Sequence, residues 1–166
     1  MALRILGIDP GSRTTGFGVI EVAQGRVSYV TSGCIRVEGK ALPERLKSIF
    51  NSVTEIVTDF RPHELAIEKV FVKNNVDSAL KLGQARGAAI CAAVIRDMGV
   101  FEYSPNEIKK AVVGKGHADK AQVQFMVRAI LNLPGLPQED AADALACALC
   151  HRNIRETLDQ IKEASL

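Results

Sequence analysis

The chain opens on an apolar run, Leu3 to Ile8, that closes on an acid, Asp9. Residues 3 to 9 read as a buried strand. Asp9-Pro10-Gly11-Ser12 then reads as a turn, because proline presets one dihedral and glycine supplies the permissive one. Residues 14 to 23 alternate loosely and end at Gln24-Gly25, a hairpin turn. Residues 26 to 37 return as a strand, with Val27, Tyr29 and Val30 as strand formers. The opening is therefore a three-stranded antiparallel meander.

The period then changes from two to 3.6. Leu46, Ile49, Phe50, Val53, Ile56 and Val57 repeat at helical spacing, Pro43 suits the first turn, and Arg61-Pro62 stops the helix. Residues 64 to 70 form a fourth strand carrying Glu68. A second helix spans roughly 76 to 98, with Gly99 as its terminator. Residues 100 to 104 form a fifth strand. Ser104-Pro105-Asn106-Glu107 is a capping box with proline inside it, which starts a third helix that ends near Gly114. A glycine-lysine loop leads to a helix from about 119 to 132, and the last helix begins near Pro137. The order β-β-β-α-β-α-β-α-α-α is that of an α/β fold.

Composition narrows this picture only a little. The 166 residues, 47% hydrophobic and 24% charged, suit one globular domain with a full core, expected over 1 to 152. Residues 153 to 166 are polar and read either as an extension of the last helix or as a tail. No apolar stretch reaches the ~18 residues of a membrane span, and no signal-peptide core precedes Asp9, so a cytoplasmic protein with no membrane partner is expected. The net charge of +2 matters less than its distribution: Lys109, Lys110, Lys115 and Lys120 cluster between 106 and 120, opposed only by Glu107 and Asp119. Cys147 and Cys150 have metal-ligand spacing but no second pair. Their apolar surroundings read as a packed helix core.

The candidate chemistry is acidic. Asp140 and Asp143 stand three apart and share a helix face. Asp9 and Glu68 each end an apolar strand. Taken singly, Asp9 could merely open a turn, Glu68 could be a surface residue, and Asp140 and Asp143 could favour a helix dipole. Taken together, three segments would deliver four carboxylates to one place. Such a set needs divalent cations to hold it together, and Mg²⁺ is the usual ion for oxygen-only sites. The aspartate-glycine turn has a second reading as the phosphate cradle of actin-like ATPases, but those folds need a duplicated domain.

Asp9-Pro-Gly-Ser-Arg-Thr-Thr-Gly-Phe-Gly, Ala66-Ile-Glu-Lys-Val-Phe71, Asp77-Ser-Ala-Leu-Lys-Leu-Gly-Gln-Ala-Arg-Gly87, Val112-Val-Gly and Asp140-Ala-Ala-Asp-Ala-Leu together resemble the RuvC family of Holliday-junction resolvases, within the ribonuclease H-like superfamily. The resemblance covers residues 3 to about 152. It implies a ribonuclease H-like five-stranded mixed sheet, the meander plus two parallel strands, flanked by helices. It implies a homodimer that nicks two opposed strands of a four-way DNA junction in recombination and repair, and that works with the RuvA-RuvB branch-migration complex. The family's acidic tetrad falls on Asp9, Glu68, Asp140 and Asp143, its junction-contacting aromatic on Phe71, and its phosphate-contacting lysines on Lys109 and Lys120. Two Mg²⁺ ions about 3.5–4 Å apart, which Mn²⁺ could replace, would bracket the scissile phosphate and give 5′-phosphate and 3′-hydroxyl products. Lys73-Asn74-Asn75 and Lys115-Gly116-His117 depart in detail from the family pattern.

Other readings stand beside these. Phe71 is either a core aromatic or an exposed ring that stacks on a crossover base. The lysines, with Lys110 and Lys115 included, are either a solvated face or a phosphate-binding one. In the second helix Gly83 and Gly87, followed by Ala88, Ala89, Ala92 and Ala93, cost stability that close approach of another backbone would offset. That backbone is either the chain's own sheet or the same helix of a second subunit, in which case Gly83, Gly87 and Ala89 form the dimer seam. The rival functions are a non-catalytic junction scaffold, which has no use for four acids, and an RNA-cutting relative of the same fold.

Overall fold

The computed structural model describes residues 2–37, 39, 41–72 and 75–165; Lys73 lies outside them. The antiparallel meander consists of β1 (Leu3–Asp9), β2 (Thr14–Ala23) and β3 (Arg26–Arg36). The Gln24-Gly25 turn joins the last two with both residues at positive φ, 52° and 75°, as a two-residue hairpin of matching twist requires. Helix α1 (Leu42–Phe60) has proline in its first turn and stops at Arg61 in the left-handed region. Strand β4 (Glu64–Glu68), helix α2 (Val76–Val94), strand β5 (Gly99–Tyr103) and helices α3 (Pro105–Val113), α4 (Lys120–Ile130) and α5 (Glu139–Ala164) follow.

The sheet order is β3-β2-β1-β4-β5, antiparallel through the meander and parallel from β1 to β4 and from β4 to β5. This is the five-stranded mixed sheet expected. The predicted capping box of Ser104 with Glu107 starts α3, and the structure adds a second one, Asp119 with Gln122, at the start of α4. Several boundaries differ. Strand β4 stops at Glu68 rather than 70, and α5 starts at Glu139 rather than Pro137. Helix α4 is trimmed at both ends, because Asp119 is its cap. Helix α2 ends at Val94 rather than 98, and the residue that turns the chain is Asp97, at φ 57°, not Gly99. The polar segment after 152 continues α5 to Ala164.

Alternation along the strands splits the core in two. One face of the sheet, with Ile5, Ile20 and Ala66, packs on α5 and through it on α3 and α4. The other, with Leu6, Ile8, Val19, Leu65 and Ile67, packs with α1 and α2. Cys147 and Cys150 are free thiols buried on α5, as the apolar reading of their helix expects.

Candidate functional site

The same alternation aims the strand-end acids. Ile5, Gly7 and Asp9 of β1 share the α5 side, and so do Glu64, Ala66 and Glu68 of β4. The parallel register pairs Ile8 with Ile67, so Asp9 and Glu68 stand next to each other at the ends of their strands. Asp9 also pairs with Gly16 of β2. A methyl group on Gly16 would overlap the Asp140 carbonyl, so the first turn of α5 lies directly over that glycine. Gly7 and Gly18 make the same kind of room for Ala144 and Leu145 further along α5. Three sheet glycines thus let the helix settle close enough for the charges of Asp140 and Asp143 to act on Asp9.

The carboxylates feel one another. Burial, then a hydrogen bond to Glu68 and the charges of Glu68, Asp143 and Asp140, push the Asp9 carboxyl up to about 9. Burial, and then the charges of Glu68 and Asp140, push Asp143 up to about 6, with Lys120 and Lys109 pulling it back. As the side chains stand, no three acid, histidine or cysteine groups among the described residues are drawn in tightly enough to hold an ion. Asp9 and Glu68 instead share a hydrogen bond. The donor set still fits a hard cation. It is oxygen-rich, it comes from three elements, and the mutual repulsion that raises the proton affinity of Asp9 would equally favour a divalent ion.

The other sequence-predicted residues separate into near and far. Phe71 is 58% exposed, which excludes the core reading. It borders a cleft of about 170 Å³ whose walls include Asp9, Glu68 and Pro105. Lys109 and Lys120 lie close enough to Asp143 to act on its charge, and Lys120 is paired with Glu139 of α5. Lys110 instead lines a groove with Asn153, Ile154 and Leu158 of the later turns of α5. Lys115 is exposed in the turn between α3 and α4. On α2, Gly83 and Gly87 have nothing within 4 Å of where a side chain would begin. Ala89 does not belong with them: it is fully buried against the chain's own core with Ala85, Ala92 and Ala93, because it lies on the inner face of the helix. A seam between subunits cannot use it.

Two neighbours of the site escaped the sequence reading. Cys34 of β3, paired with Gly16, has its thiol pushed up by burial and by the charge of Asp140, so it sits beside the acids. Arg86 of α2 donates from Nε to the backbone carbonyl of Glu68 at 3.0 Å and pairs with Glu102 of β5. The Gly-Gln-Ala-Arg-Gly run pointed to Arg86 as part of a motif, but nothing local says which atom it would reach.

Four carboxylates at the ends of β1, β4 and the start of α5, on a sheet of order β3-β2-β1-β4-β5, define a carboxylate-centred protein of ribonuclease H-like fold. Residues 5–151 match the family model described as "Crossover junction endodeoxyribonuclease RuvC". The chain is 60% identical over 154 residues to the crossover junction endodeoxyribonuclease RuvC of Vibrio vulnificus, covering 93% of this chain and 89% of that one. It is also 60% identical over 148 residues to its counterpart in Hydrogenovibrio crunogenus, covering 89% and 86%. Among solved structures it superposes on RuvC from Thermus thermophilus with a TM-score of 0.84, and on T. thermophilus RuvC in complex with Holliday junction substrate with 0.87, at 34% identity in both cases, covering 93% of this chain and 96% of each. The yeast mitochondrial Holliday junction resolvase shares the fold, with a TM-score of 0.61 at 12% identity, covering 96% of this chain and 86% of that one. The chain belongs to the RuvC family.

Proposed function

We propose that the protein is a structure-selective DNA endonuclease that resolves four-way junctions by paired nicks, working as a homodimer with Mg²⁺ in each site. The observation that supports the reading is the charge coupling of Asp9, Glu68, Asp140 and Asp143 near an exposed Phe71 in a protein of the RuvC family. When bound by these four acids, two Mg²⁺ ions would supply an activated water and a stabilised leaving 3′-oxygen. Mn²⁺, with the same preference for oxygen donors, would replace them.

The chain's own residues do the rest. Asp9 must shed its proton before the site can load, so loading improves as pH rises. Lys109 and Lys120, on the rim beside Asp143, offset the acids' repulsion of an incoming phosphate, which makes binding weaken with salt. Phe71 presents its ring where a base released at the crossover would stack. A junction carries two equivalent strands, so it calls for two equivalent sites. The outer face of α2 offers the seam, with exposed Val76, Leu80 and Val94 and the two open glycines Gly83 and Gly87 along one side of the helix. Family membership supports the RuvA-RuvB complex as the partner that delivers the junction.

The test is a labelled four-way junction incubated with and without Mg²⁺, with the ends mapped on both strands. Symmetric nicks bearing 5′-phosphate, absent without the cation, are expected. Binding without cutting at any divalent-ion concentration would return the protein to the scaffold reading. Preferential cutting of an RNA–DNA hybrid would make it an RNA-directed relative.

A further inference from the structure

The end of β4 is held in an unusual way. Lys69 N–H donates to the Tyr103 carbonyl of β5, so the polar backbone groups of Glu68 face the other neighbour, β1. With Ile8 opposite Ile67, the donor due to meet the Glu68 carbonyl in a continued parallel ladder is the nitrogen of Pro10. Proline has no N–H to give. Arg86 Nε supplies the missing bond at 3.0 Å. The guanidinium is mostly shielded, with 18% of the side chain exposed, and its other end is tied to Glu102 of β5. Glu102 responds in kind: the hydrogen bond and the charge from Arg86 hold its carboxyl below the usual range. Arg86 therefore clamps the ends of two strands from α2, and one of those ends carries a candidate metal ligand.

We propose that Arg86 is a positioning residue for the metal site. By fixing the peptide of Glu68 where β1 cannot, it sets the direction in which the Glu68 carboxylate leaves β4, and Glu102 holds the guanidinium in place. The proposal rests on the reading of Glu68 as a metal ligand. Arg86 also lies between Gly83 and Gly87, whose face of α2 is open, so it ties the Glu68 carrier to the helix offered above as the seam between subunits. Groups that orient a ligand from outside the coordination sphere characteristically change metal affinity by about 10–100-fold when lost.

The experiment is a Mn²⁺ titration of the full chain, with free Mn²⁺ read by its paramagnetic resonance signal, on the wild type, Arg86→Ala, Glu102→Gln and Glu68→Gln. Arg86→Ala is expected to weaken Mn²⁺ binding by about tenfold, and Glu102→Gln to weaken it by a smaller factor in the same direction. Junction binding without cation should stay at the wild-type level in both. The Mg²⁺ concentration for half-maximal cleavage should rise in parallel, with the rate recovering at high Mg²⁺, which a merely destabilised protein would not show. A folded Arg86→Ala protein with wild-type Mn²⁺ affinity overturns the proposal, provided Glu68→Gln has lost affinity. If Arg86→Ala does not fold, an unchanged Mn²⁺ affinity in Glu102→Gln overturns it. Should Glu68→Gln itself bind Mn²⁺ like the wild type, the metal-site reading of Glu68 fails and takes this proposal with it.

Discussion

Helices α2 and α5 are both rich in small residues, yet the small residues do opposite things in the two. On α5, Ala141, Ala142, Ala144, Ala146 and Ala148 are buried, and the space they exploit is made on the sheet, at Gly7, Gly16 and Gly18. Any side chain on those strand glycines would run into the helix. On α2 the alanines face inward against the sheet and α1, while Gly83 and Gly87 face outward into open space. The lesson is that a small residue marks a close approach only when something stands opposite it. On α5 the partner is within the chain, and the close approach builds the acidic site. On α2 the glycines have nothing opposite them in the single chain.

The sharpest way to break this comparison is at the acidic first turn of α5. Asp140→Asn or Asp143→Asn should cut cleavage on the order of a thousandfold or more, since groups acting as a unit fail together, while junction binding measured without cation persists. A variant that still cut at near the wild-type rate would take its aspartate out of the site. Next comes the sheet beneath. Gly16→Ala puts a methyl group into the Asp140 carbonyl, and such overpacking costs about 1–3 kcal/mol. Denaturant unfolding should register that loss, and cleavage should fall with it; an unperturbed Gly16→Ala protein would mean that α5 has slack.

On α2 the outcome should invert. Gly83→Ala adds only to open space, so the subunit itself should gain up to about 1 kcal/mol from helix propensity. Gly83→Leu should yield folded monomers by sedimentation, with paired nicking lost. A Gly83→Leu dimer with normal paired cleavage would move the seam elsewhere. A smaller effect is expected at Phe71. Phe71→Ala should slow resolution of intact junctions about tenfold, the scale of one base–aromatic stack, and slow junctions already unpaired at the centre less, with no change in melting. Equal loss on both substrates would leave the exposed ring without a role at the crossover.

The remaining prediction concerns protons. The Asp9 carboxyl holds its proton up to about 9 in the folded, cation-free protein, against an ordinary value of 3.8. Between those limits the folded state binds more protons than the unfolded one, so stability must fall as pH rises through that window. Melting of cation-free protein should therefore drop between pH 6 and 8. Asp9→Asn should melt higher than the wild type at pH 8 and lose most of that slope. Saturating Mg²⁺ should also flatten it, because the cation replaces the proton. A wild-type melting temperature that rises over that range would contradict the buried, protonated carboxyl.

Much of the molecule was legible along the chain. Two-residue alternation, the Gln24-Gly25 turn, the capping box at Ser104, and the stop at Arg61-Pro62 depend on atoms within a few residues of one another. Sequence carries such terms directly, and it carries the identity of the four acids and their strand-end or helix-start positions. What tertiary structure alone decided is everything that depends on what stands opposite. Ala89 faces the core and Gly83 does not, though they are six residues apart on one helix, because the sheet covers only one side of it. Lys110 turns to the later turns of α5 while Lys109, its neighbour, acts on Asp143. Arg86 reaches the Glu68 carbonyl because Pro10 leaves that carbonyl without a partner on another strand. The protonation of Asp9 belongs to the same class: one aspartate's proton affinity is an ordinary property of its side chain, and only burial beside three other carboxylates raises it.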